Sequence, residues 1–301
     1  MPVKELLLGD NAFIGVSHLC QERARSESRE ATLENIVEVM EASVDSGATG
    51  FTFSIHPKNL ELVTHLYDSR KNLLGKLNYY ALTPYVHAYL KKAGEEGTPA
   101  LVRTAVFAAL QERSSIVELA SAGLSLDVAR FVGVLLESEI SPFLKMIPRS
   151  RLRAVFLHEL VTEMAIAFRM DSLLKGVEAH MKKRTGASFG LETRNLGQLH
   201  DFVQETGYVP EFVMTPINKL GYQMAPDKET AETAVAELGR SSKIIAMNIL
   251  ASGGLAFQEA LAYISRFGDS LYGIVTATTK PERARDNFRL LAANFASHHA
   301  L

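Results

Sequence analysis

Cysteine is nearly absent from this 301-residue chain: Cys20 stands alone, which excludes an internal disulfide and a zinc site built from cysteines. An excess of charge of either sign is missing too, the formal net charge being −2 at pH 7. Nucleic acid and anionic membrane surfaces both call for a basic face, so neither is expected as the main partner. No apolar run approaches the roughly 18 residues of a membrane span. The opening "MPVKELLLGDNAF" lacks the long apolar core and small-residue cleavage site of a signal peptide. Neither low-complexity sequence nor an obvious linker divides the chain. These absences lead to the expectation of a soluble, cytoplasmic protein folded as a single domain over residues 1–301.

Apolar residues, by contrast, are plentiful at 47%, enough for a large buried core. They follow one recurring order: an amphipathic helix, a glycine, a short apolar strand. Leu33, Ile36, Val37, Met40 and Val44 form one helical stripe, Gly47 closes it, and "GFTFSI" follows as a strand. Gly75, Gly186, Gly207, Gly239 and Gly268 punctuate the chain in the same way before "KLNYYAL", "ASFGLE", "EFVMTP", "KIIAMNI" and "LYGIVTA". With "KELLLG" and "LRAVFLH" the strands number eight. Near-continuous apolar strands alternating with helices imply a parallel sheet covered by helices, and eight such units over about 250–300 residues imply an α/β fold, the (β/α)₈ TIM barrel. A doubly wound open sheet is the runner-up, but its Gly-rich first turn is missing, since "GDNAFIG" is not G-x-G-x-x-G. Between the third and fourth strands lie two helical stretches, "TPALVRTAVFAALQERSSIVELA" and "SLDVARFVGVLLESE", the second with Ser125 as its cap. They are read as a helical insertion over residues 93–140. "SPFLKMIP" is read as a loop because Pro142 and Pro148 bracket it, which leaves Lys145 an unpromising Schiff-base amine.

Chemistry in a parallel barrel collects at the C-terminal ends of the strands. Those ends carry Asp10, Ser54 with His56, Tyr85 with His87, His158 with Glu159, and Glu192 with Arg194 and Asn195. Asn218 with Lys219, Asn248, and Thr276 with Thr278 complete the circuit. His158, His56, Tyr85 and Glu192 are the catalytic candidates; His18, His87, His180, His200 and the His298–His299 pair read as structural or solvated. Glu192 is expected to pair with Arg194, Lys219 or a metal, because an unpaired carboxylate facing a barrel mouth is costly. After the seventh strand, Ser252, Gly253 and Gly254 precede a helix, where backbone N–H groups and the helix dipole suit an anion. After the eighth, Thr279 and Glu282 have capping-box spacing around Pro281, and Ala284, Phe288, Leu291 and Phe295 form the core stripe. Arg283 and Asn287, four residues apart, share a flanking face near the loop. Loops after strands seven and eight are the usual phosphate site of this architecture.

These last segments resemble the aldo/keto reductases, (β/α)₈ oxidoreductases that use a nicotinamide cofactor. "PERARDNF" is similar to the family's final-strand motif, which implies that Arg283 and Asn287 contact the adenosine end of NADP or NAD. "IIAMNILASGGL" resembles the seventh-strand segment along the pyrophosphate, implying roles for Ser252, Gly253 and Gly254, with Thr278 and Thr279 on the neighbouring loop. "LRAVFLHE" resembles the strand that delivers the active-site histidine, here His158. "FGLETRN" resembles the next strand, whose asparagine, here Asn195, contacts the nicotinamide amide. The resemblance covers residues 150–290 or so. Toward the N-terminus Thr52 stands in place of the family's aspartate, His56 or Pro57 in place of its tyrosine, and Pro84 or Tyr85 in place of its lysine. Of the usual catalytic set only His158 is kept, so the resemblance implies a bound nucleotide more than a particular reaction.

Three functions follow as expectations. The first is an aldo/keto reductase-like barrel that binds NAD(P), or another phosphorylated ligand, and acts on a small carbonyl metabolite. The second is a metal-assisted lyase, isomerase or hydrolase using Asp10, His56, His158 and Glu192, although no H-x-H or H-E-x-x-H signature is present. The third is a catalytically degenerate binding or assembly subunit, a homo-oligomer built through the inserted helices.

Overall fold

The computed structural model describes residues 3–15, 31–84 and 128–296. Tyr85, His87, His18, Cys20, Ser125, the His298–His299 pair and the first of the two insertion helices lie outside the described residues. The chain begins with β1 (Glu5–Gly9), a single turn α1 (Asn11–Ile14), α2 (Leu33–Val44), β2 (Gly50–Ser54), α3 (Pro57–Ser69) and α4 (Lys71–Lys76). Then follow β3 (Asn78–Thr83), α5 (Val128–Leu144), β4 (Leu152–Leu157), α6 (Glu159–Ala167), α7 (Asp171–Thr185) and β5 (Ser188–Glu192). The last third holds α8 (Leu196–Thr206), β6 (Phe212–Pro216), α9 (Lys228–Leu238), β7 (Lys243–Met247), α10 (Phe257–Ile264), β8 (Leu271–Thr276) and α11 (Pro281–Ala296). All eight strands pair in parallel and in chain order, and β8 closes on β1 to form a (β/α)₈ barrel.

Local chemistry explains most boundaries. Thr32 caps α2 by accepting from the Asn35 N–H at 3.2 Å, and Asp227 caps α9 by accepting from Thr230 N–H at 2.8 Å. Gly186 and Gly207 close α7 and α8 in the left-handed region, as expected. Gly75 instead lies within α4, and Gly239 and Gly268 are right-handed, so these three mark element ends without supplying a left-handed cap.

The "SPFLKMIP" loop is a correction. Ser141 to Leu144 complete α5, with Pro142 inside the helix. Proline forfeits one backbone hydrogen bond there, and burial of Ile140 and Phe143 offsets it, the Phe143 ring lying 5.1 Å from Phe53. Helix α5 packs against α7, β3 and α3 in the outer layer, so a boundary at residue 140 would cut through it. No helix among the described residues is long and apolar enough to cross a membrane.

Side chains pointing into the barrel form their own cluster: Leu7, Tyr80, Ala154, Phe156, Phe212, Met214, Ile245 and Tyr272. The Phe212 ring sits 6.1 Å from Tyr80, 6.2 Å from Phe156 and 5.4 Å from Tyr272. Beneath them the buried Glu5 carboxylate accepts from Thr49 Oγ1 at 2.5 Å and Asn78 Nδ2 at 2.8 Å. The barrel floor is therefore packed, with its buried carboxylate hydrogen-bonded, which leaves the opposite end for chemistry.

Gly190 is where the interior has no room to spare. A Cβ there would lie 2.6 Å from Phe156 Cε1 and 2.9 Å from Phe212 Cβ. Gly190→Ala is expected to cost about 1–3 kcal/mol through overpacking, read as a lower urea midpoint with an unchanged slope. An unchanged midpoint would mean that this interior is loosely packed.

Candidate functional site

The period of two along each strand sets which side chains reach the mouth. Phe156 and Gly190 are register partners facing inward. Two residues further along each strand stand His158 and Glu192, on neighbouring strands and in the same inward phase. Glu192 is also opposite the inward-facing Met214. On the other side, Thr52 pairs with the inward Tyr80, so Ser54 and His56 continue the inward phase of β2. Three of the four catalytic candidates, His56, His158 and Glu192, are thus brought to one end of the barrel; Tyr85 lies outside the described residues.

The two histidines are held alike. Each is the N-cap of the helix that follows its strand. His56 Nδ1 accepts from Lys58 N–H at 3.1 Å and His158 Nδ1 accepts from Leu160 N–H at 3.2 Å. A nitrogen that accepts carries no proton, so the neutral ring keeps its hydrogen on Nε2. Burial, and then the Lys58 charge, lower the pKa of His56 and favour that neutral form.

Glu192 is 7% exposed. The expected ion pair with Arg194 or Lys219 is not formed. The Arg194 guanidinium goes to Glu159 at 2.5 Å, and Lys219 pairs with Glu259. What Glu192 receives is the Glu159 backbone N–H, on Oε2 at 3.2 Å. Burial first, then the nearby Glu159 charge, push its carboxyl up to about 8, with Asp10 adding in the same direction. Among the described residues no cation pairs with it, and a buried carboxyl so placed resolves its desolvation cost by keeping its proton.

Asp10 is the second buried acid. Its Oδ2 accepts from Ser54 N–H at 2.8 Å and from Asn59 Nδ2 at 2.7 Å, fastening the end of β1 to the end of β2. Burial raises its pKa against these hydrogen bonds. Among the described residues no trio of His, Cys, Asp or Glu side chains is arranged to hold a metal ion.

The rim after β7 and β8 departs from expectation in its donors. Asn248, Ala251 and Ser252 all adopt positive φ, and Gly253 has φ +93°. This tight turn consumes its own N–H groups. Ser252 N–H donates to Asn248 Oδ1 at 2.8 Å, while Gly253, Gly254 and Leu255 N–H donate to the carbonyls of Leu250, Ala251 and Leu250. The glycine turn therefore offers no open backbone cradle in this conformation. Beside it, Ala256 is the N-cap of α10 and offers no side-chain cap, so the helix's first-turn N–H groups are the ones suited to an anion.

Helix α11 starts at Pro281, which makes Lys280 rather than Thr279 its cap position. The expected capping box is displaced by one residue, and Thr278 Oγ1 accepts from Lys280 N–H at 3.2 Å instead. Arg283 is exposed, whereas Asn287, Thr278 and Thr279 are buried. The core stripe of Ala284, Phe288, Leu291 and Phe295 is buried as expected. Asn195 caps α8, its Oδ1 accepting from Gln198 N–H at 3.0 Å.

Residues that sequence reasoning passed over are Asn59, Glu163 and Thr193. Glu163 Oε1 accepts from Thr193 Oγ1 at 3.1 Å and from Arg194 N–H at 2.9 Å. A signal did exist: Glu159 and Glu163 are four apart on one helix, a spacing that points both toward the same neighbour.

No protein-family model matches the chain, and no curated protein matches it by sequence. Solved structures do match. A protein from Pseudomonas aeruginosa assigned to the aldo-keto reductases superposes with a TM-score of 0.58 at 12% identity, over 98% of this chain and 92% of that one. An aldo-keto reductase of Bombyx mori, solved with NADP, gives 0.52 at 10% identity over 97% and 87%. A glycerol dehydrogenase of Gluconobacter oxydans gives 0.52 at 11% identity over 100% and 93%. The chain thus shares the barrel fold of the aldo-keto reductases, at identities where fold is all that the likeness establishes.

Proposed function

We propose that this barrel is an oxidoreductase-like protein that binds NADP or NAD at the β7 and β8 rim and acts on a small carbonyl metabolite at its mouth. The observation that carries the reading is the adjacency of His158 and Glu192 at the ends of β4 and β5, a hydrogen-bond donor beside a proton-bearing acid. The His158 Nε2–H would hold the substrate oxygen and polarise the carbonyl. His56, fixed in the same tautomer, would line the opposite wall.

The rim residues fit a phosphate-bearing group, though by a different route from the glycine turn. The uncapped first turn of α10 and the Arg283 guanidinium would hold the charge, and Gly253 and Gly254 would permit close approach. Asn287 and the buried Thr278 and Thr279 would flank the adenosine end. Asn195, already a helix cap, keeps one Nδ2 hydrogen and an Oδ1 lone pair for a carboxamide. When bound, a nicotinamide would supply the hydride equivalent.

Turnover is the test. Purified protein with NADPH or NADH and a panel of small aldehydes and ketones is expected to consume reduced cofactor in a carbonyl-dependent way. Consumption that ignores the carbonyl, or none with any member of the panel, counts against the reading.

A further inference from the structure

We propose that Glu192 is the proton donor of this site, and that Glu159, Glu163 and Arg194 form a clamp that holds it in the donating position. The inference rests on the carbonyl reading above, because reduction of a carbonyl requires a proton for the oxygen as well as a hydride for the carbon. Three features of geometry support it.

The first is direction. Glu192 continues the inward phase of β5 and stands beside His158 at the end of β4. The oxygen that His158 would hold is therefore within the same part of the mouth.

The second is the split use of its carboxyl. Oε2 is occupied by the Glu159 N–H at 3.2 Å, while Oε1 takes no hydrogen bond from the described residues. A carboxylic acid anchored on one oxygen presents the other, with its hydrogen, to the mouth.

The third is the clamp. The Arg194 side chain pairs with Glu159 at 2.5 Å, and its backbone N–H donates to Glu163 Oε1 at 2.9 Å. Thr193 Oγ1 donates to the same Glu163 oxygen at 3.1 Å and accepts from Asn195 N–H at 2.9 Å. The turn after β5 is thus pinned to the first turns of α6 by both Glu159 and Glu163. Without this arrangement Arg194 would be free to neutralise Glu192 directly, and the carboxyl would lose its proton.

Among the described residues, the charges acting on Glu192 are Glu159 from α6, Arg194 from the turn after β5 and Asp10 from the end of β1, with His158 beside it just past β4 and Glu163 further along α6. Burial and the Glu159 charge hold the proton on Glu192, and Arg194 moderates that effect. A bound reduced nicotinamide would supply the hydride equivalent for the carbonyl carbon, and the proton for its oxygen comes from Glu192. The Oε1–H bond breaks as the new O–H bond forms on the substrate oxygen. The product is an alcohol, and the Glu192 carboxylate then takes a proton from water.

The full-length chain with carboxyl-labelled glutamate, titrated by carbon NMR, tests the assignment without turnover; Glu192→Gln identifies the Glu192 resonance. A midpoint near 8 is expected in the wild type. Glu159→Gln should move it down and Arg194→Gln should move it up, while Glu159→Asp, which keeps the backbone donor and the charge, should leave it in place. Opposite shifts from the two partners of one ion pair are not what general loosening would give. A wild-type midpoint in the ordinary carboxylate range, or shifts of one sign in both variants, overturns the proposal.

In turnover, Glu192→Gln is expected to lower kcat by about 10²–10⁴-fold with KM little changed and NADPH still bound. Retained kcat would overturn the donor role. If the wild type binds neither NADPH nor NADH, the carbonyl reading itself fails and the donor role with it, wherever the midpoint lies.

Discussion

Replacing His158 with asparagine should leave a folded protein that has lost its reaction. Asparagine is among the preferred N-cap residues, so the cap on α6, which His158 supplies through Nδ1 to Leu160 N–H, is retained in kind. Stability is accordingly expected to stay within about 0.5 kcal/mol of wild type. What disappears is the Nε2–H at the mouth. Removal of one preorganised donor from a developing oxyanion typically costs about 10²–10³ in kcat, and a loss of that size is expected in carbonyl-dependent oxidation of NADPH. A thermal melt by circular dichroism beside the kinetics separates the two effects. Unchanged kcat would leave His158 as a helix cap and nothing more.

The second large effect is a gain in stability from removing the proposed donor. The Glu192 carboxyl is pushed up to about 8 in the fold from an ordinary value of 4.5. Below the unfolded value both states hold the proton, and the group imposes no penalty. As pH rises toward the folded value, the unfolded chain gives up its proton while the folded one keeps it, so folding becomes progressively less favourable; above it the penalty is complete. Glutamine retains the acceptor for Glu159 N–H but never ionises. Glu192→Gln is therefore expected to be more stable than wild type at pH 9 by on the order of 5 kcal/mol, the advantage fading toward pH 5. Urea unfolding at the two pH values measures it. Asp10, also raised by burial, acts in the same direction in both proteins, and its charge contributes to the Glu192 shift that the comparison reads. A difference that is the same at both pH values would mean that Glu192 ionises normally in the fold. The same burial that gives the site its acid would then be absent.

Much of the barrel was legible in the sequence because its signal is repetitive. Eight apolar strands separated by amphipathic helices leave few topologies, and the strand-end positions of His56, His158 and Glu192 follow from a period of two. What escaped was set by contacts between segments distant in sequence. Arg194 lies two residues from Glu192, yet its partner is Glu159, brought to it by the pairing of β4 with β5. The Ser252–Gly253–Gly254 turn has the composition of an anion loop. Its donors are spent because Asn248 adopts φ +51° and turns its Oδ1 onto Ser252, a conformation that composition does not reveal. The helix after β8 begins one residue later than capping-box spacing suggests, because Pro281 is suited to the first helical position and so makes Lys280 the cap. Pro142 misled in the opposite sense: a proline near the C-terminal end of a helix costs less than the burial of Phe143 beside it contributes.

A nicotinamide nucleotide at the β7 and β8 rim is what the proposed reaction requires first. Titration of NADPH and of NADH into the full-length protein, followed by nicotinamide fluorescence, is the direct measurement. A saturable change with at least one of the two is expected, weakened about tenfold by Arg283→Ala through loss of a charge-assisted contact worth about 1–2 kcal/mol. No saturable change with either nucleotide up to millimolar concentration would contradict the proposed reaction.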